Sequence, residues 1–159
     1  MISFYKNKNQ KGFSFGEIMT VLAIIAMISS VAIFAFRNMN ENQVLDKSVL
    51  SILSIVNEAR SSSLSSKDSS DHGVYVEENR LVSFIGSSYN QSDPRNVIYD
   101  LNSMVKISSV VPVSIVFKRT SGKLSEDSQI NLNISLKNNT NASSSLVIFA
   151  TGIIQRNAH

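Results

Sequence analysis

Lys11-Gly12-Phe13-Ser14-Phe15-Gly16-Glu17-Ile18-Met19-Thr20-Val21-Leu22-Ala23-Ile24-Ile25-Ala26 is the stretch on which the reading of this chain turns. A small residue, Gly12, precedes the bulky aromatic Phe13, with basic side chains behind the pair and an apolar run ahead of it. From Phe13 to Phe36 the sequence is almost entirely apolar. Such a run of about 24 residues makes a helix of roughly 36 Å, enough to cross the hydrocarbon core of a bilayer. One carboxylate, Glu17, stands inside it. A charged side chain within a membrane span costs about 2.5–3.5 kcal/mol on insertion scales, so it should have a partner. No Lys or Arg lies within the same span. The partner must come from another molecule, or from a newly made N-terminus.

The charge distribution supports a membrane topology rather than a nucleic-acid partner. The chain has 15 Lys+Arg and 12 Asp+Glu, and the three excess positive charges are Lys6, Lys8 and Lys11, all before Phe13. A basic segment directly ahead of an apolar helix is the positive-inside signal, which predicts a cytoplasmic N-terminus. The basic run leads straight into a span too long for the core of an ordinary secretory signal. There are no cysteines, which excludes disulfides, thiolate metal sites and a cysteine nucleophile.

Past the span the helical period continues. Leu45, Val49, Ile52, Val56 and Ala59 alternate at intervals of four and three, a single apolar stripe. No Pro or Gly interrupts Glu17 to Lys67, so one helix of about 50 residues and about 75 Å is predicted. It should fray in the serine-rich run from Ser61 to Ser70, where hydroxyls compete for backbone hydrogen bonds. The remainder reads as short strands. Gly73–Val76 and Arg80–Ile85 make a hairpin across Glu77-Glu78-Asn79. Val97–Tyr99, Val105–Ile107, Ser114–Lys118, Ile130–Leu136 and Leu146–Phe149 follow. Alternation of apolar residues with Asn and Ser predicts a sheet that is wet on one side. Gly122 and Gly152 fall at turns where glycine can take positive φ. The expectation is an α+β ladle: a long N-terminal helix, transmembrane in its first half, packed in its second half on an antiparallel β-sheet domain.

The opening motif resembles the signal of type IV prepilins and type II secretion pseudopilins, whose pattern is K-G-F-[ST]-x-x-E. Two further segments are similar to GspH/FimT-type minor subunits. They are Glu58-Ala59-Arg60 near the helix end, and the strand-glycine stretches Val116–Gly122 and Phe149–Ile154. The resemblance implies that a prepilin peptidase cuts between Gly12 and Phe13 and methylates the Phe13 nitrogen. It also implies that Glu17 pairs with the amine of a neighbouring subunit and sets the register of assembly. The corresponding division is a basic leader over 1–12, a transmembrane and assembly helix over 13–36, an amphipathic continuation over 37–66 and a β-sheet domain over 67–159. Partners implied are other pilin subunits, the peptidase, the pilus or secretion machinery and membrane lipid. The implied location is the cytoplasmic membrane, then an extracellular filament or a periplasmic pseudopilus. Two positions depart from the family pattern. Gly16 stands where a branched apolar residue is usual, loosening the first turn by about 1 kcal/mol. The span carries no proline, position 34 being Phe34.

The same sequence is compatible with three roles: a pilus subunit, a type II secretion pseudopilin, and a membrane-anchored binding domain that does not polymerise. Nothing in it points to an enzyme, a metal or a cofactor. His72 and His159 are far apart, no glycine-rich phosphate loop follows a strand, and the acid pairs Glu77-Glu78 and Glu126-Asp127 fall in predicted turns. Asn90, Asn133, Asn138 and Asn141 begin N-x-[ST] triplets in a composition where these arise readily. Tyr75, Phe84, Tyr89, Tyr99, Phe117 and Phe149 read as core residues rather than a base-stacking platform. For DNA, the best phosphate-contacting cluster is Lys118, Arg119 and Lys123 around a turn, with Arg156 as a candidate fourth member. From Phe13 onward acids and bases balance, so weak or no duplex binding is expected.

Overall fold

The structure, a computed structural model, describes residues 12–109 and 112–158. Lys6, Lys8 and Lys11 of the expected leader, and His159, lie outside the described residues. Helix α1 runs Phe15–Leu64. The chain divides into two compact units, Met1–Met39 and Asn40–His159, and the boundary falls inside this helix.

In the second unit the predicted stripe is the buried one: Leu45, Val49, Ile52, Val56 and Ala59 are all buried, joined by Ile55. A short 3-10 turn over Lys67–Ser69 follows, and then eight strands. These are β1 His72–Val76, β2 Arg80–Ile85, β3 Val97–Asp100, β4 Val105–Ile107, β5 Val113–Phe117, β6 Ile130–Leu136, β7 Ser143–Ile148 and β8 Ile154–Ala158. The strands are antiparallel, as expected, but divide into two four-stranded sheets, β3-β2-β1-β5 and β4-β6-β7-β8. Strand β8 is absent from the sequence reading. The reason is local: Ile154-Gln155-Arg156-Asn157 has a single apolar residue, and its ladder is supplied by β7, in register Leu146↔Arg156 and Val147↔Gln155. Strand formation depends on such neighbours more than on intrinsic preference.

Alternation along the strands decides what is buried. Val74, Val76, Leu81, Ile115 and Phe117 of the first sheet form one core with the α1 stripe and with Val105, Ile107, Leu132, Ile134, Leu146 and Ile148 of the second. Asn131 and Asn133, between the buried positions of β6, are exposed. Burying a side chain of this size stabilises by about 1.5–3 kcal/mol, so this core holds the cysteine-free unit together. On the other face of the first sheet, the rings of Tyr75 and Tyr89 stack with centroids 4.1 Å apart. The ring of Phe84 tilts against Tyr89 at 5.6 Å. Phe84 also lies over its cross-strand partner Gly73, where any Cβ would come within 2.5 Å of the ring.

The helix ends at Leu64, inside the serine-rich run where an end was expected, but its last turn is tied down rather than loose. Ser63 is fully buried, its hydroxyl donates to the Phe117 carbonyl (2.9 Å), and the same oxygen accepts from the His72 amide (2.9 Å). Its carbonyl also accepts from the Thr120 amide (2.9 Å). A hydroxyl that would weaken an isolated helix here ties the helix end to β5 and β1. The chain leaves the helix only beyond it, with Ser66, Asp68 and Ser69 at φ of 52–54°.

The segments that carried the minor-subunit resemblance meet at one point. The Arg60 Nε donates to the Gly122 carbonyl (3.3 Å), and the Leu124 amide donates to the Ala150 carbonyl (3.0 Å). Gly152 lies at φ 80°, and a Cβ there would be 1.9 Å from the Gly122 oxygen and 2.8 Å from the Arg60 Nε. Only glycine allows the two turns to approach so closely.

Candidate functional site

In the first unit, the amides of Glu17 (3.0 Å) and Ile18 (3.2 Å) donate to the Ser14 carbonyl, which starts the helix. Gly16, the loosest residue of this turn, has its carbonyl engaged by the Thr20 hydroxyl at 2.8 Å. Serines deeper in the segment do the same: Ser29 donates to the Ile25 carbonyl and Ser30 to that of Met27. The hydroxyls of Thr20, Ser29 and Ser30 therefore satisfy themselves on their own helix, as hydroxyls must in lipid. Glu17 differs. Its carboxylate has no hydrogen-bond or ion-pair partner among the described residues. It sits in the first turn, where the helix dipole favours a negative charge.

Phe13, Glu17, Ile18, Val21 and Leu22 line one shallow groove at this end of the helix. Phe13 is 80% exposed, and Ile24, Ile25, Met27, Ile28 and Val31 are all more than half exposed. Phe15–Ile33 has a mean hydropathy of 2.1 and is long and apolar enough to cross a membrane, and none of it is buried within the chain. Leaving ten or so such side chains in water would forgo tens of kcal/mol at about 1.5–3 kcal/mol each. The segment therefore needs lipid or protein around it, and within that surround its one charge needs a cation.

The basic cluster lies in the second unit, away from this segment in sequence. Lys118 and Lys123 close a turn, the Lys118 amide donating to the Lys123 carbonyl (2.8 Å) and the Gly122 amide to the Lys118 carbonyl (2.9 Å). All three basic side chains are exposed. Arg119 is already engaged: its amide donates to the Asp71 carboxylate (2.7 Å) and its guanidinium to the Ser69 carbonyl (2.8 Å). The sequence reading missed both anchors, which lie in the serine-rich connection. Arg156 does not join the cluster. It pairs with Asp46 of α1 and donates to the Ser144 hydroxyl (3.2 Å), whereas the Lys118 turn meets α1 at Ser63. Asp46 and Ser63 are about 26 Å apart along the helix axis. Electrostatics elsewhere are local. Glu77 takes a two-pronged contact from Arg80 (2.8 and 3.0 Å) in the β1–β2 turn. Hydrogen bonds from Arg95 hold the Asp93 carboxyl down at about 2. His72 is buried, its Nε2 3.0 Å from the Lys67 carbonyl. Among the described residues no cluster of three or more His, Asp or Glu could hold a metal ion.

No protein-family model matches the chain, and no curated protein matches it. Two solved structures do, both of the type IV minor pilin FimU from Pseudomonas aeruginosa strain PAO1. In one crystal form the TM-score is 0.59, with 17% identity over 71% of this chain and 92% of that one. In the other it is 0.60, with 17% identity over 78% and 92%. At that identity the likeness is one of fold. The chain has the α+β pilin-like fold, that of a type IV minor pilin.

Proposed function

We propose that this chain is a structural subunit of a type IV pilus or a closely related filament, polymerised through its N-terminal helix. The observation that carries the reading is the apolar helix segment Phe15–Ile33, none of it buried, whose one carboxylate has no partner among the described residues, on a chain with a minor-pilin fold. In this reading the subunit is a single-pass membrane protein with its N-terminus in the cytoplasm. Its leader is removed between Gly12 and Phe13 by a prepilin peptidase, and the Phe13 amine is methylated. The cut creates a cation at the membrane edge. Glu17 of one subunit then pairs with the Phe13 amine of its neighbour as the helices bundle. The pairing offsets the cost of the carboxylate, and the bundle covers the apolar surface that lipid covered before. The role is assembly rather than catalysis.

The test separates insertion from assembly. Glu17→Leu removes a buried charge and should insert in the membrane at least as well as the wild type. It should nevertheless enter filaments poorly, because the neighbour's amine loses its partner. Quantifying the subunit in membrane and sheared-filament fractions reads both. Wild-type amounts of Glu17→Leu in filaments would refute the pairing.

A further inference from the structure

The outer face of the first sheet carries a cleft of about 460 Å³, in the second unit and independent of the assembly helix. Its size is that of small-ligand clefts, about 300–1,000 Å³. Three features of its lining restrict what it can take. The stacked Tyr75–Tyr89 pair contributes aromatic surface, and both residues are half-buried. Hydroxyls converge from Ser87, Ser88, Ser114 and Ser125, and Glu126 adds the single charge. No Lys, Arg or His is in the lining.

The buried serines Ser48, Ser63, Ser135 and Ser144 hydrogen-bond within the chain, whereas many surface serines, like those of the cleft, do not. Among the described residues, the cleft's serine and tyrosine hydroxyls and the Glu126 carboxylate have no such bond. Their donor and acceptor capacity points to a ligand or to water. Each hydroxyl offers one donor and two acceptor sites, and the carboxylate accepts only. Anions are excluded by the lone negative charge and the absence of a base. A purely apolar ligand would leave the hydroxyls unpaired, at a cost of about 1–3 kcal/mol for each group buried.

We infer that this cleft binds a neutral pyranose saccharide. A pyranose has a face of C–H bonds whose partial positive charge suits the negative face of a tyrosine ring. Its rim of hydroxyls both donates and accepts, matching the serines, and adjacent hydroxyls can donate together to the Glu126 carboxylate.

Titration of the full chain in detergent tests this, following cleft tyrosine resonances by NMR with N,N′-diacetylchitobiose and maltose as neutral probes. Glucose 6-phosphate and a tri-lysine peptide serve as anionic and cationic controls. Saturable shifts at Tyr75 and Tyr89 with at least one neutral probe, and none with glucose 6-phosphate, are expected. Tyr89→Ala should weaken binding about tenfold. Because that variant also uncovers Phe84, two milder ones accompany it. Tyr89→Phe keeps the ring and should stay within about threefold, while the exposed Glu126→Gln should lose about fivefold or more. No shift with either neutral probe, tighter binding of the peptide or the phosphate, or unchanged affinity in both Tyr89→Ala and Glu126→Gln would overturn the assignment.

Discussion

Gly152→Ala measures how much of the fold rests on the meeting of the two glycine turns with Arg60. At φ 80° an L-residue costs about 1–2 kcal/mol. The new Cβ would also stand 1.9 Å from the Gly122 oxygen, a backbone atom that cannot rotate away. One of the two turns must shift, which breaks the Arg60 bond to the Gly122 carbonyl and loosens that between Leu124 and Ala150. Losing that bonding adds about 1–2 kcal/mol, for a total near 3 kcal/mol. In a unit of this size each kcal/mol lowers the melting temperature by about 4 °C, so the variant should melt about 12 °C lower. Near-UV circular dichroism of the full chain in mild detergent reports the melt of the tertiary packing. Arg60→Ala discriminates among causes. If the backbone overlap dominates, adding Arg60→Ala to Gly152→Ala restores nothing. A Gly152→Ala melt within about 3 °C of wild type, or recovery of most of the loss in the double variant, would refute the reasoning.

Two further outcomes are expected from the charges. The Asp93 carboxyl is held at about 2, against 3.8 for an unperturbed aspartate, chiefly by the hydrogen bond from the Arg95 side chain. A depressed folded-state value means the pairing contributes fully above the unfolded value and is lost as pH falls from about 4 towards 2. Carboxyl NMR should place the Asp93 midpoint near 2, and Arg95→Ala should return it towards 3.8; an ordinary midpoint in the wild type would contradict the geometry. For DNA, the Lys118 and Lys123 side chains of the cluster have no hydrogen-bond or ion-pair partner among the described residues, whereas Arg119 is held by Ser69. Labelled duplex at two salt concentrations should show weak binding that falls steeply with salt, about −0.9 in log–log slope per phosphate contact, and vanishes in Lys118/Arg119/Lys123→Ala. Tight, salt-resistant binding would contradict this.

What could be read in the sequence was what depends on local period. The α1 stripe, the β1–β2 hairpin, the alternation of β6 and the positive-φ glycines at Gly122 and Gly152 are each written within a few consecutive residues. What could not be read depends on partners distant in the chain. The split into two sheets follows from β5 returning to β1 and β6 pairing back to β4. Strand β8 exists because β7 lies beside it. The role of Ser63 as a tertiary anchor needs β5 and His72 in place, so its hydroxyl looked like a helix breaker in isolation. Of the candidate sites, Phe13 and Glu17 were visible as an aromatic directly after glycine and a lone carboxylate in an apolar run, and both line one groove at the start of α1. The basic cluster was only half legible: the turn brings Lys118 and Lys123 together, but Arg119 is tied to Ser69 and Arg156 is drawn to Asp46. The Tyr75–Tyr89 stack, separated by fourteen positions of chain that include a hairpin and a loop, gave no sequence signal beyond apolar bulk.

The central claim is that this chain becomes an assembly subunit by exposing Phe13 ahead of Glu17. The N-terminus of the native protein tests it most directly, by intact mass and N-terminal fragmentation after extraction from membranes or filaments. The account predicts a chain that starts at Phe13 with one methyl group on its nitrogen, and full-length precursor retained in the membrane for Gly12→Val. A native protein that retains Met1 and the basic segment, in membranes and filaments alike, would contradict it.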